Sequence, residues 1–215
     1  MPAFKKDSEV SIPRLMILRG SPGIGKSTVS KSINKINSAV KKTYVSVDAM
    51  QHMDLRAPSK NKEKLGIKNA AILSASFLEE GFDVVLDYVF DDIEDISSTI
   101  EIIAKYLDGK CDFFVQKFYL DAPIEKVVKR NQSRSGKRGE YMNTALLKKL
   151  YSKVSATKGT VENEIVIDSS QLSAKQTART IISCRMGCIN GMEYIEAELP
   201  EADLARAMET DDEGD

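Results

Sequence analysis

The sequence predicts an α/β fold: a parallel sheet of about five strands with helices on both faces and a helical lid. Three observations lead there. Short apolar runs alternate with segments of helical spacing along most of the chain. One run, DVVLDYVF, is apolar or β-branched nearly throughout, as a strand buried on both faces requires. A glycine-rich loop, GSPGIGKST, separates the first strand from the first helix.

Taken in order, RLMILRG is a strand entering that loop, and STVSKSINKIN sets Val29, Ile33 and Ile36 at helical spacing. TYVSVDAM alternates like a strand that ends at Asp48, with a polar, proline-containing loop through Lys62 after it. EKLGIKNAAILSASFLEE is a helix closed by Gly81, and DVVLDYVF follows as a central strand. The next helix places Ile93, Ile96, Ile100, Ile103 and Leu107 on one face, with acids in its first turn and Gly109 after its last. DFFVQKFYLDAP is a strand, PIEKVVKRNQSR and NTALLKKLYSKV are basic helices, EIVID is the last strand and SAKQTARTIISC the last helix.

With 42% hydrophobic and 29% charged residues, 215 residues suffice for one packed domain. We assign it to residues 14–190, with the lid at about 124–158. A flexible start at 1–13 precedes it and an acidic extension at 191–215 follows. The net charge of -1 hides an uneven distribution. Residues 124–160 hold ten lysines and arginines against two glutamates, an anion-binding pattern, whereas 192–215 hold ten acids against one arginine and read as a solvated tail. Three cysteines, Cys111, Cys184 and Cys188, and one histidine, His52, argue against a disulfide framework and a Cys/His zinc site. With no long apolar run and a polar first segment, the expectation is a cytoplasmic protein with no membrane partner.

The loop satisfies G-x-x-x-x-G-K-[ST] in its strand-to-helix context. Gly20, Gly23 and Gly25 permit positive φ, so that the backbone N–H groups of Ser21, Pro22's neighbours and Ile24 can turn toward phosphate oxygens. Lys26 is expected to span the β- and γ-phosphates, Ser27 to ligate Mg²⁺ and Thr28 to reach the α-phosphate. A switch GTPase would also need N-K-x-D to read guanine, and Asn61-Lys62 is followed by Glu63-Lys64.

Two carboxylates fall at strand ends, where open parallel sheets bind ligands: Asp48 after the second strand and Asp87 near the end of the third. A hydroxyl acceptor needs a group to take its proton, and the cation needs a carboxylate. We assign Asp48 as base and Asp87 to the metal; the opposite allotment is the alternative, and Asp48 could instead cap the following AMQH turn. Asp91 and Asp92 read as helix-start residues. The run from Lys129 and Arg130 to Arg134, Lys137 and Arg138 has the composition of a lid that brings cations to a transferring phosphoryl group, or of a solvated basic face.

The segment DAPIEKVVKRNQSRSGKRGEYMNTALLKKLYSKV resembles the lid of phage-type 5′-hydroxyl polynucleotide kinases. The order GSPGIGKST, VSVDAM, VVLDYVF, KRNQSR and IVIDSSQLS is similar to the wider group of P-loop kinases that includes chloramphenicol phosphotransferase. The resemblance spans roughly Arg14 to Ser183. It implies an ATP- and Mg²⁺-dependent kinase with Lys26 and Ser27 on phosphate and magnesium, Asp48 as general base, Asp87 as the second acid and Arg130 as the transition-state arginine. Arg134 falls with the lid cations that meet ATP, and Gln171, in Asp168-Ser-Ser-Gln-Leu, with the loop that lines adenine. Where polynucleotide kinases carry an arginine that grips the acceptor's 3′-phosphate, three residues beyond the base, this chain has Gln51.

Three classes of function follow: a kinase acting on a nucleic acid with a free hydroxyl, which we rank first; a kinase of a small hydroxylated substrate; and a nucleotide-gated binding protein. A basic groove leading to Asp48 would favour the first, an apolar pocket around Met50, Met53 and Leu55 the second.

Overall fold

A computed structural model describes residues 12–133 and 141–191. The flexible start assigned to residues 1–13 lies outside the described residues except for its last two, as do the lid cations Arg134, Lys137 and Arg138 and all but the first residue of the acidic extension.

The strands are β1 (Arg14–Arg19), β2 (Lys42–Ser46), β3 (Asp83–Asp87), β4 (Phe114–Asp121), β5 (Glu164–Asp168) and β6 (Ile189–Asn190). The helices are α1 (Lys26–Asn34), α2 (Val47–Met53), α3 (Lys60–Glu79), α4 (Glu94–Leu107), α5 (Ile124–Gln132), α6 (Thr144–Ser155) and α7 (Ala174–Ser183). Five strands form a parallel sheet in the order β2-β3-β1-β4-β5. The two-residue β6 pairs antiparallel with the start of β4, an addition that the sequence pattern does not signal.

Alternation along β1 divides the core. Leu15 and Ile17 join Ile67, Ala71 and Leu78 of α3 and Ile96, Ile100 and Ile103 of α4 in one cluster. Met16 and Leu18 join Val29 and Ile33 of α1, Val127 of α5, and Ala178 and Ile181 of α7 in the other. Each such side chain stabilises by roughly 1.5–3 kcal/mol when fully buried, so the strand with four of them in succession is the centre of the fold.

β3 is an interior strand, as expected, buried along its length between β2 and β1, which is the middle of the five. Two expected strand ends are corrected. β3 stops at Asp87 and Tyr88-Val89-Phe90 leaves the sheet, with Phe90 in the left-handed region at φ 44°. The second strand ends at Ser46 rather than Asp48, because Val47 begins α2 and turns its side chain into the core.

Polar contacts fix the sheet's ends. At one, Arg14 donates through Nη2 and Nε to Asp83 at 2.8 and 3.2 Å. At the other, Arg19 is 1% exposed and pairs with Glu164, reaches Thr157 Oγ1 at 2.8 Å and the Thr157 carbonyl at 2.7 Å, and lies 4.9 Å over the Tyr119 ring. The next residue is the first glycine of the loop.

Candidate active site

The loop has the backbone its glycines permit. Gly20, Gly23 and Gly25 sit at φ 142°, 79° and 111°, and a Cβ on Gly20 would lie 2.7 Å from the Leu120 carbonyl. Gly25 is the N-cap of α1 and supplies no capping side chain, and the first turn holds no acid. The leading N–H groups of the helix, with their positive dipole end, are therefore left for an anion. Lys26 is buried and its Nζ donates to the Gly20 and Ser21 carbonyls at 2.8 and 3.2 Å, folding the lysine back over the loop. Ser27 and Thr28 are exposed at the mouth.

Ser27 Oγ donates to Asp87 Oδ2 at 2.7 Å, joining the loop to the end of β3. Burial pushes the Asp87 carboxyl above its usual range, against the bond from Ser27 and the charge of Lys26, and the Asp48 carboxylate adds to the rise. Ser46 stands close enough to the Asp87 carboxyl to oppose the rise slightly, but Asp87 Oδ1 and Ser21 Oγ are buried without a hydrogen bond of normal geometry among the described residues. A carboxylate oxygen without a well-formed hydrogen bond, beside a serine hydroxyl, fits a divalent cation. Among the described residues no cluster of three His, Cys, Asp or Glu could hold a metal, and Mg²⁺ suits a site that offers few protein oxygens and leaves the rest to phosphate and water.

The raised carboxyl has a consequence for stability. A carboxyl whose folded pKa lies above its unfolded one contributes stability that is complete below the unfolded pKa and is lost as pH rises through the folded one. Asp87→Asn, which keeps an acceptor for Ser27, is expected to raise the thermal unfolding midpoint of the ligand-free protein at pH 7. The gain should shrink as pH falls into the ordinary carboxylate range, because the raised carboxyl takes up its proton ahead of an unperturbed one. Thermal unfolding of both proteins across a pH series down from 7 checks this, and a lower midpoint for the variant at pH 7 would contradict it.

Asp48 lies in the first turn of α2, where its negative charge meets the helix's positive end. The N-cap is Ser46, and AMQH is helical rather than a turn capped by Asp48.

Two clefts flank the loop and share Gly23 and Gly25. A cleft of ≈ 330 Å³ is lined by Pro22, Lys26, Ser27, Asp48, Tyr88 and Asn131, so the residues expected to serve as base and to meet phosphate face one space. A second, of ≈ 430 Å³, lies on the other side, lined by Ile24, Thr28, Arg130, Ser169, Leu172 and Thr177. Arg130 belongs to this second cleft: Nη1 and Nη2 donate to the Ile24 and Ser169 carbonyls at 2.8 and 2.9 Å. Gln171 is exposed, while its neighbours Ser169 and Leu172 line the cleft. Arg134 lies outside the described residues.

Sequence reasoning missed several neighbours. Asn131 is buried and clamps Met142, donating to its carbonyl at 2.7 Å and accepting from its N–H at 3.1 Å, which joins α5 to the approach of α6. Tyr88 donates to Glu63 Oε1 at 2.6 Å and accepts from Gln51 Nε2 at 3.0 Å, bridging β3, α2 and α3. Neither had a signal beyond its place beside a residue already singled out: Asn131 next to Arg130, Tyr88 next to Asp87.

No protein-family model matches the sequence, and no curated protein sequence matches it significantly. Solved structures do match. A chain of the Pnkp1/Rnl/Hen1 RNA repair complex aligns with a TM-score of 0.56 at 21% identity over 74% of this chain, which spans only 49% of that one. The Deinococcus radiodurans tunicamycin resistance protein aligns at 0.55 and 13% identity, over 81% of this chain and 98% of its own. Mycobacterium tuberculosis APS kinase CysC, solved with AMPPNP and APS, aligns at 0.54 and 15% identity over 79% and 95%. The fold is that of the P-loop kinases. The glycine loop, the helix it opens, Asp48 just after β2 and Asp87 at the last position of β3 lie at the carboxyl end of the sheet, as do the two clefts that flank the loop.

Proposed function

We propose that the protein is an ATP- and Mg²⁺-dependent phosphotransferase that moves a γ-phosphoryl group onto an alcohol hydroxyl. The observation that carries this reading is the convergence of Lys26, Ser27 and Asp48 on one cleft, with Asp87 tied to Ser27 behind them. ATP lies along the loop with its base in the cleft of Arg130, Ser169 and Leu172 and its phosphates on the N–H groups of the loop and α1. Ser27 and Asp87 hold Mg²⁺, which when bound neutralises charge on the β- and γ-phosphates. Asp48 accepts the proton of the acceptor hydroxyl as its oxygen attacks the γ-phosphorus, the bond from that phosphorus to the β–γ bridging oxygen breaks, and ADP leaves. Lys26 stays with the charge that develops on the transferring group.

Arg130 has two possible duties, and one variant separates them. Its place in the nucleotide-side cleft favours holding the nucleotide, so Arg130→Ala is expected to raise the KM for ATP by about tenfold with a smaller change in turnover. A fall in kcat at unchanged KM would instead give it the transition-state role that the resemblance implies.

For the acceptor, a nucleic acid remains the first reading. It is supported by the ten cations of residues 124–160, which outnumber the acids fivefold and suit a phosphate backbone. A small hydroxylated molecule is the second, favoured by a further cleft beside Tyr88, lined by Gln51, His52, Lys62 and Glu63. The apolar pocket expected for it around Met50, Met53 and Leu55 is not formed: Met50 packs on the core, and Met53 and Leu55 are 74% and 96% exposed. Transfer of labelled γ-phosphate from ATP to a panel of nucleic acids, nucleosides and small alcohols tests the activity. Release of free phosphate with no acceptor labelled would overturn it.

A further inference from the structure

The cleft beside Tyr88 has an internal logic that bears on which hydroxyl is phosphorylated; the inference rests on the transfer activity proposed above. It measures ≈ 420 Å³, enough for a group the size of a nucleoside or hexose. Tyr88 lines both this space and the one that holds Lys26 and Asp48, so the two are neighbours across a single side chain. What enters here stands next to the attacking hydroxyl.

The walls discriminate by charge. Tyr88 is 6% exposed and its hydroxyl is committed on both sides, donating to Glu63 at 2.6 Å and accepting from Gln51 at 3.0 Å. Gln51 packs directly on Gly66 of α3, where a Cβ would lie 2.5 Å from Gln51 Cγ. Lys62 is the one lysine or arginine among the described residues lining the cleft, and its Nζ donates to the Arg56 carbonyl at 2.9 Å. Arg56 is itself paired with Asp54 at 2.6 Å on the exposed side. Beside Lys62, His52 and Ser59, the polar groups that hold one another in this wall are a carboxylate, an amide and a phenol, with the Asp48 carboxylate close enough to act electrostatically on Tyr88. A phosphate in this position would face two carboxylates, Glu63 and Asp48, against one ammonium, that of Lys62, whose Nζ is turned to the Arg56 carbonyl, and like charges brought together in a site cost several kcal/mol.

We propose that Gln51, Glu63 and Tyr88 are specificity-determining residues that restrict the acceptor to a hydroxyl whose neighbouring substituents are uncharged hydrogen-bonding groups. A phosphorylated neighbour, such as the 3′-phosphate of a 5′-hydroxyl nucleic acid end, is rejected. The same chemistry has two sources, a free polyhydroxylated molecule or nucleoside, and a hydroxyl carried on a base within a nucleic acid.

The test compares label transfer by the full chain, with Mg²⁺ and γ-labelled ATP, on matched acceptors. These are a nucleoside and its 3′-monophosphate, a hexose and its monophosphate, a duplex bearing a hydroxymethylated base, and a 5′-hydroxyl oligonucleotide. The uncharged partner of a pair, or the base hydroxyl, is expected to exceed its phosphorylated counterpart by at least about tenfold in kcat/KM. Glu63→Gln, which keeps an acceptor for Tyr88, should shrink that ratio through the KM of the phosphorylated member. Label on the nucleoside or hexose identifies a free alcohol as the source, and label on the duplex identifies the base. Preference for the phosphorylated member or the 5′-hydroxyl end, or a ratio unmoved by Glu63→Gln, overturns the inference while the transfer activity stands. If no alcohol is labelled although ATP binds, the transfer activity falls, and the inference with it.

Discussion

Asp48→Asn is expected to leave ATP binding intact and to cut phosphoryl transfer by about 10²–10⁴-fold, the usual contribution of a positioned general base. Asparagine keeps the size and one oxygen of the side chain, but its amide cannot take the proton from an alcohol at neutral pH. Nothing structural depends on the charge: Asp48 is exposed, and Ser46 is the N-cap of α2. The carboxylate's interaction with the α2 dipole is worth about 0.3–1 kcal/mol, too little to unfold the chain. Titration of a nucleotide analogue and a single-turnover assay with an accepted alcohol would measure the two quantities separately. Retained transfer would move the base role to Asp87.

Lys26→Ala should remove both. Its Nζ is bound to two loop carbonyls, so the ammonium supports the loop's backbone as well as offering charge to phosphate. Losing one charged donor from a preorganised site typically costs about 10²–10³ in turnover, and nucleotide affinity should fall in parallel because the ground state uses the same contact. The fold should survive, since the loop stands at the edge of a core built from β1 and its flanking helices. Thermal unfolding reports on the fold and calorimetric titration on the binding. Unchanged ATP affinity would count against the loop as the phosphate site.

The sheet was legible because its cause is local. Apolar runs of strand length bounded by glycines or polar turns, with helical periodicity between them, mark every parallel strand and every long helix. α2 was not, because VSVDAM continues the alternation of β2, and the chain turns helical only where Val47 finds a place in the core. The loop's place and backbone were readable, since glycines at that spacing between a strand and a helix signal a turn through positive φ, and Gly20, Gly23 and Gly25 adopt it. Arg130 was readable as a cation but not as a member of one cleft rather than the other, since that follows from the Ile24 and Ser169 carbonyls that happen to face it. The Gln51–Tyr88–Glu63 group was invisible: its members come from two helices and a strand end, meet only in three dimensions, and obey no spacing rule.

Arg19 carries a consequence for how this site comes into being. The partners that neutralise and bind it, Thr157 and Glu164, lie 138 and 145 residues further along the chain, and a buried charge without its partner costs several kcal/mol. The loop that begins at Gly20 therefore rests on a residue that settles only after nearly the whole sheet has assembled. Contacts of such long sequence separation form late, because a large loop must close first. In a growing polypeptide or a truncated one that stops before β5, residues 20–28 are present in full, but their foundation is not, and nucleotide binding should emerge abruptly with β5 rather than in proportion to length.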